Sequence, residues 1–196
     1  SLKNTFQEIN YSKSLNYEKA RRYLYTRSYM RLALSTLFEM DPDSIPLDSP
    51  PGKIPKLNNG FGYLSLSHSK DIILLGWSNH SIGVDIERKD RRNKIDKIDK
   101  YFLTNSDKKI INLINGNISK TKILNLWVVK EAIIKQQNGN IFSQFQDWEC
   151  NQNLTYAFNK KTKIKLETCQ FFYKDWTIGI ANQSLLNIDY YTVCMF

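Results

Sequence analysis

The sequence predicts an α+β fold of two similar lobes, each a small antiparallel sheet packed with a long helix. Two observations support this prediction. A long segment with helical periodicity is followed by several short strand-like segments, and this order occurs a second time along the chain. A length of 196 residues, 41% of them apolar, is enough for two small lobes with buried cores. We place the boundary near His80, with residues 1–79 in the N-terminal lobe and 80–196 in the C-terminal lobe.

The first half is predicted to contain one long helix and three strands. From Tyr17 to Phe38, apolar residues recur at steps of three and four, which is the spacing of one helical face. Pro42 ends this helix, and a proline-rich loop follows over Ile45–Asn59. We then expect an antiparallel meander of three strands, Tyr63–Ser67, Ile72–Trp77 and Ile82–Glu87.

The second half begins with a densely charged stretch, Arg88–Lys100, which we expect to be a solvated loop. Two helices are predicted after it, Asp107–Ile114 and Lys122–Gln137, the second with a clear apolar stripe. Aromatic and β-branched residues then predict four strands: Leu154–Phe158, Ile164–Phe172, Trp176–Ala181 and Ile188–Val193.

The formal net charge is +9, from 28 basic and 19 acidic residues. Such an excess favours an anionic partner, whether nucleic acid, a membrane surface, an acidic protein or a phosphorylated cofactor. A lysine-rich solvated surface explains the charge equally well. Charge alone therefore leaves the partner open.

The cysteines and the apolar runs bear on where the protein works. Cys150, Cys169 and Cys194 are odd in number and widely spaced, which predicts reduced thiols of a cytoplasmic protein. No apolar run approaches the ~18 residues that cross a bilayer. We therefore expect no membrane association.

An acidic pair on the third strand is the first candidate site. Side chains two apart on a strand share a face, so Asp85 and Glu87 present two carboxylates together. Two carboxylates this close repel each other unless a proton or a cation lies between them, and magnesium is the usual hard cation. The alternative is a pair of exposed acids facing Arg88 or Lys89, which is the more frequent case for an isolated pair.

A second group lies on the later helix. Glu131 and Lys135 are four residues apart and share a helical face, with Lys130 beside them. Such a pair is ordinarily a solvated salt bridge. At the end of a buried stripe, however, a third carboxylate flanked by ammonium groups suits a site where metal and phosphate charges must be balanced.

A histidine follows the first predicted strand. His68 lies between Ser67 and Ser69, where it could cap a turn or hydrogen-bond a phosphate. No phosphate-binding glycine loop, dinucleotide fingerprint or nucleophile elbow is present. The basic first helix lacks the aromatic spacing of an RNA-binding sheet.

Taken in order, these segments resemble the 4′-phosphopantetheinyl transferase superfamily, in the monomeric two-lobe class that acts on synthetase and fatty-acid carrier proteins. The resemblance covers roughly residues 18–139 and is most specific in the Gly-Val-Asp-Ile-Glu and Trp-x-x-Lys-Glu segments. It implies two lobes related by a pseudo-twofold axis, with coenzyme A between them. The matching pieces are Gly52-Lys53 with Pro55, Leu66–Ser69, Ile82–Glu87, Phe102–Asp107 and Trp127–Lys135.

The resemblance also implies a reaction. A magnesium ion held by Asp85, Glu87 and Glu131 grips the pyrophosphate of coenzyme A while the carrier's serine attacks. Glu131 takes the serine proton, directly or through a metal-bound water. Lys135 neutralises charge on the pyrophosphate, and Lys130 is a weaker candidate for the same task.

Further residues match positions that bind coenzyme A. His68, counted with Glu131 and Lys135 among the catalytic candidates, matches with Ser67 the contact to the 3′-phosphate region. Lys53 and Arg27 match contacts to other phosphate or adenine edges, and Lys19 matches a basic position less closely. Two departures are Ile54, which separates Lys53 from Pro55, and Asp107, where the family usually has Glu.

The expected partner is an acidic acyl or peptidyl carrier protein, which also accounts for the positive charge; we expect neither nucleic acid nor membrane as partner, and a monomer. We expect the first helix and the Arg88–Lys100 loop to steer the carrier's acidic helix. Two rival interpretations stay open, a magnesium-dependent nucleotide pyrophosphate hydrolase and a basic RNA-binding module.

Overall fold

The computed structural model describes residues 4–50, 53–70, 72–90, 102–112, 120–138, 144–184 and 187–191. It has the mixed α+β architecture with antiparallel sheets that the sequence predicts. The chain divides into two compact units, Ser1–Gly62 with Asp189–Phe196, and Tyr63–Ile188. Residues 63–78 thus group with the second unit, whereas the lobes expected at 1–79 and 80–196, which stay a prediction, place them in the first.

The first unit is built around a pair of helices. Thr5 and Glu8 form a capping box that begins the short helix, since each side chain accepts the backbone N–H of the other. Arg31 of the long helix then donates to both carboxylate oxygens of Glu8, at 2.8 and 2.9 Å, and ties the two helices together. The elements are α1 (Phe6–Ser12), α2 (Tyr17–Phe38), a 3-10 turn (Pro42–Ser44), β1 (Leu47–Asp48) and β2 (Lys56–Leu57).

Over its described residues, the second unit combines a hairpin, a five-stranded antiparallel sheet and two helices. The hairpin joins β3 (Tyr63–Ser69) to β4 (Ile72–Ser78). The sheet has the strand order β5-β9-β8-β7-β6. Its strands and the helices are β5 (Ile82–Arg88), α3 (Asn105–Asn112), α4 (Lys120–Gln136), a 3-10 turn (Phe145–Asp147), β6 (Trp148–Cys150), β7 (Tyr156–Asn159), β8 (Lys165–Tyr173) and β9 (Trp176–Asn182).

Helix α4 packs across β5, β8 and β9 and supplies much of the core. Its Val128, Val129 and Ala132 are completely buried against the sheet. In the same core cluster, the Trp127 ring packs edge-on against Phe102, with centroids 5.0 Å apart. This packing fixes where the polar side chains of α4 lie relative to β5.

Two topological predictions are wrong. Strand β5 does not continue the β3–β4 meander; its backbone pairs with β9, from Ile82↔Asn182 to Arg88↔Trp176. Local turn signals could not reveal this, because the partner strand is nearly a hundred residues away. The strand expected at Ile188–Val193 is also absent over its described part, 188–191.

The other predicted helices and strands are confirmed within one or two residues where they are described. Helix α1 and strands β1, β2 and β6 were not predicted, and β1 and β2 lie within the predicted loop Ile45–Asn59. The predicted loop Arg88–Lys100 lies outside the described residues from position 91 onward. Cys150 and Cys169 are free thiols, and Cys194 lies outside the described residues. Over the ranges given above, no helix has both the length and the apolar character needed to cross a membrane.

Candidate active site

The acidic pair on β5 lies inside the second unit. Asp85 is 2% exposed and Glu87 is 5% exposed, so neither is a solvated surface acid. Buried carboxylates need partners, because an ionised group without them is strongly disfavoured in a protein interior. This burial argues against the interpretation of the pair as exposed acids facing Arg88 or Lys89.

Serines of the neighbouring strand β3 supply part of that partnership. The Ser67 hydroxyl donates to Asp85 Oδ1 at 2.7 Å, and the Ser69 hydroxyl donates to Glu87 Oε2 at 3.0 Å. The two serines are two residues apart on β3, and the two acids are two residues apart on β5, so each pair lies on one face of its strand. These two faces lie against each other.

Helix α4 brings a cation to the same place. Lys135 Nζ lies 2.6 Å from Asp85 Oδ1 and 3.7 Å from Glu131 Oε2, one helical turn away. The ammonium group is therefore positioned between a carboxylate of the strand and a carboxylate of the helix. The Lys135 and Glu131 side chains are 24% and 12% exposed, so the cluster opens towards solvent on the helix side.

The three predicted metal ligands are not gathered around one point. Within the described ranges, no three His, Cys, Asp or Glu side chains form a group that could hold an ion. Lys135 is the contact that links Asp85 to Glu131.

One atom of the cluster nevertheless has an unfilled bonding requirement. Asp85 Oδ2 is buried and has no hydrogen-bond partner. Leaving a buried acceptor unsatisfied costs free energy, so such an atom is expected where a ligand binds. An unpartnered carboxylate oxygen with Glu87 beside it on the strand suits a hard, oxygen-liganded cation such as magnesium. The residues thus fit the metal that the sequence suggests, once Lys135 or the Glu131 side chain moves.

Lys130 has a different environment from the one expected. Its ammonium group donates to Asp107 Oδ2, to Phe102 O at 2.9 Å and to Phe145 O at 3.1 Å, and its side chain is fully buried. An ammonium group has three protons, and all three are used. This corrects the expectation that Lys130 neutralises a pyrophosphate: it joins α4 to the start of α3.

The same contacts give Asp107 a role. Its Oδ2 accepts the Thr104 N–H at 2.7 Å, and Thr104 Oγ1 accepts the Asp107 N–H at 3.1 Å. The aspartate is therefore a reciprocal cap at the start of α3 and the counter-ion of Lys130. The Thr-x-x-Asp spacing in the sequence was the available signal.

The remaining predicted binding residues are spread over both units. His68 is exposed on β3, between the two inward-facing serines. In the first unit, Lys53 is exposed, while Arg27 is 6% exposed and packs on the Tyr23 ring at 5.1 Å. Lys19, the less secure match, is exposed near the start of α2. Their contacts with coenzyme A stay predictions.

Ser67 makes a contact that the sequence did not predict, because its hydroxyl donates to Asp85 Oδ1. Its expected contact with the 3′-phosphate region stays a prediction. The contribution of Ser69 was not foreseen, although serines at 65, 67 and 69 recur with the period of a strand face. That alternation was the signal for a polar face of β3.

Fold and site define a class: an α+β protein with a buried carboxylate pair on a strand and a Lys-Glu pair on the helix packed across it. The model of the 4′-phosphopantetheinyl transferase superfamily matches residues 81–181, which include both pairs. The chain belongs to this superfamily.

A curated relative agrees with this assignment. A 4′-phosphopantetheinyl transferase, gsp, of Aneurinibacillus migulanus is 26% identical over 115 residues. The match covers 56% of this chain and 47% of that protein, so the chain aligns with about half of the relative's length.

Proposed function

We propose that this protein transfers the 4′-phosphopantetheine group of coenzyme A to a serine of an apo acyl or peptidyl carrier protein, with a magnesium ion in the site. The observation that most supports the proposal is the contact of Lys135 with both Asp85 and Glu131, inside the segment that matches the superfamily. It joins a cation and carboxylates from two separate motifs in one place.

The carboxylates would hold the ion, with Asp85, Glu87 and Glu131 as its protein ligands. When bound, magnesium supplies positive charge for the pyrophosphate of coenzyme A. The unpartnered Oδ2 of Asp85 offers the most direct ligand atom, because this oxygen has no hydrogen bond that the ion would have to replace.

The residues of the site then have separate tasks. The carrier's serine oxygen bonds to the phosphorus next to the pantetheine, and the bond from that phosphorus to the bridging pyrophosphate oxygen breaks. Adenosine 3′,5′-bisphosphate leaves with that oxygen. Glu131 accepts the serine proton, and Lys135 neutralises the charge on the leaving group. Most of the catalytic effect comes from positioning and charge balance.

Binding of coenzyme A outside the reacting centre falls to the remaining candidates. His68 would bind the 3′-phosphate region, and Lys53 and Arg27 would bind other phosphate or adenine edges. The net charge of +9 suits an acidic carrier protein, which would be attracted from a distance. We propose a monomer that acts on carriers of fatty-acid or peptide synthesis in the cytoplasm, where free thiols such as Cys150 persist.

The test is incubation with coenzyme A, magnesium and a panel of apo carrier proteins, read by intact mass. We expect one added phosphopantetheine per carrier and its loss with Asp85→Ala. Asp90→Ala is the control, since Asp90 is an exposed acid whose side chain pairs with Lys70. A folded protein that modifies no carrier would overturn the proposal.

The two rivals give different results in the same assay. Hydrolysis of coenzyme A without carrier modification would identify a nucleotide pyrophosphate hydrolase. RNA binding that survives Asp85→Ala, with no transfer, would identify an RNA-binding module.

A further inference from the structure

We propose that Ser67 and Ser69 are positioning residues that orient Asp85 and Glu87 towards the cation. This inference rests on the proposed function, because it concerns the metal site of that reaction. It assigns β3, which lies outside the segment matching the superfamily, a part in shaping that site.

Three serines on one face of β3 make hydrogen bonds to β5. Ser65 Oγ accepts the Val84 N–H at 3.0 Å, and Ser67 Oγ accepts the Ile86 N–H at 3.3 Å. The backbone of β3 pairs with β4, and the serine hydroxyls of β3 bond to the backbone of β5. Strand β3 is thereby held in a fixed register beside the acids of β5.

Only two of these serines reach a carboxylate. Ser67 bonds to Asp85 and Ser69 to Glu87, whereas the contact of Ser65 is to a backbone N–H. The set therefore contains its own control: Ser65 shares the strand, the face and the burial of Ser67 and lacks the contact with an acid.

The Ser67 hydroxyl has every bond that it can make. It donates to Asp85 Oδ1, because a carboxylate only accepts, and its lone pairs accept from Lys135 Nζ at 3.0 Å and from the Ile86 N–H. Such a group cannot rotate without breaking a bond. It holds Asp85 by one oxygen and leaves the other, Oδ2, buried and without a partner.

These hydrogen bonds determine which carboxylate oxygen faces the cation. A carboxylate held by Oδ1 presents Oδ2 alone to an incoming cation, and Ser69 similarly holds Oε2 of Glu87. Hydrogen bonds to metal ligands fix ligand orientation, and their removal typically weakens metal binding by about 10–100-fold. Without Ser67, Asp85 would be free to turn both oxygens towards Lys135.

The experiment measures cation binding directly. Mn²⁺, a paramagnetic substitute for magnesium, is titrated into the wild-type protein and into S65A, S67A, S69A and S67T, with and without coenzyme A, and free Mn²⁺ is read by electron paramagnetic resonance. We expect S67A to raise the dissociation constant about 10-fold or more, and S69A to raise it in the same direction. S65A should stay within about threefold of wild type, because it loses one neutral hydrogen bond, to the Val84 N–H, and no contact with a carboxylate. S67T keeps the hydroxyl and should bind more tightly than S67A.

Several results would overturn the inference. They are unchanged Mn²⁺ affinity in folded S67A, an equal loss in S65A and S67A, or no Mn²⁺ binding by a wild-type protein that still transfers phosphopantetheine. If S67A does not fold, unchanged affinity in S69A overturns it. The transfer assay on the wild-type protein, run separately, decides the proposed function, so the two failures are distinguishable.

Discussion

Gly83 of β5 lies so close to Ala132 of α4 that a Cβ on residue 83 would be 1.8 Å from the Ala132 carbonyl oxygen and 2.5 Å from the Gln136 nitrogen. The absence of a side chain is what permits this contact between strand and helix. Asp85 is two residues further along the strand and Lys135 three residues further along the helix. The closeness at Gly83 therefore determines whether Lys135 reaches Asp85.

We expect Gly83→Ala to destabilise the protein by at least about 3 kcal/mol, since the added methyl group meets backbone on a rigid helix. Gly76→Ala is the comparison, because its Cβ would meet a side-chain methyl of Val84 at 2.5 Å, which can shift more readily. Urea unfolding measures both. A loss for Gly83→Ala no larger than for Gly76→Ala would show that the helix adjusts easily.

Lys135→Met should reduce the rate of phosphopantetheine transfer by roughly 10²-fold or more at saturating magnesium, because in the proposed reaction Lys135 neutralises charge on the leaving group. The fold should persist, since the Lys135 side chain is partly exposed. Lys161→Met is the control: its side chain is 73% exposed and pairs with Asp147. Steady-state kinetics of both variants test this. An equal loss of activity in Lys135→Met and Lys161→Met would contradict the proposed role of Lys135.

The buried pair of Lys130 and Asp107 should be a determinant of stability. Removing one partner of a buried ion pair strands the other charge and costs about 3–5 kcal/mol, which we expect for Lys130→Met. The double variant Lys130→Met with Asp107→Asn should lose less than the sum of the single variants.

The exposed Lys161–Asp147 pair again provides the contrast, since breaking it should change stability by less than about 1 kcal/mol. Denaturant unfolding is used to compare the free energies of unfolding of Lys130→Met, Asp107→Asn, the double variant and Lys161→Met. Similar losses at the buried and the exposed pair would contradict the structural role of Lys130.

Glu8 predicts a dependence of stability on pH. Burial alone would raise the pKa of Glu8, but the hydrogen bonds from Arg31 and Thr5 outweigh it and hold the pKa below the ordinary value of 4.5. Because the pKa is lower in the folded state, the stabilisation is complete above the pKa of the unfolded chain and is lost as pH falls through the folded pKa.

Glu8→Gln should therefore destabilise the protein near neutral pH and flatten the decline of stability below pH 4.5. Melting temperatures of both proteins across that range test this. Parallel curves would show that other groups control the acid response.

Cys150 should be inert in the folded protein. Its burial, helped by the nearby Asp107 charge and opposed by Lys130, raises the pKa of the thiol to about 12. The reactive thiolate is then nearly absent at pH 8. Iodoacetamide followed by peptide mass analysis should label Cys150 only after unfolding, and rapid labelling of the native protein would contradict its placement.

Local periodicity was sufficient for most elements. The helix Tyr17–Phe38 is confirmed at both ends, because its apolar spacing and its terminal proline signal both act over a few residues. The strand Ile82–Glu87 was likewise recognised from alternation, and so was the shared face of its two acids. These features depend on neighbours in the chain.

Local patterns in the sequence are sufficient for the superfamily, for most helices and strands and for the residue types of the candidate site. The partners of these residues depend on long-range packing: β5 pairs with β9, Ser67 holds Asp85 across 18 residues, and Lys135 reaches it across 50. This packing also buries Lys130, which the motif alone places beside the reaction. The physical reason is that such contacts depend on how a helix packs on a sheet, which no short-range pattern encodes.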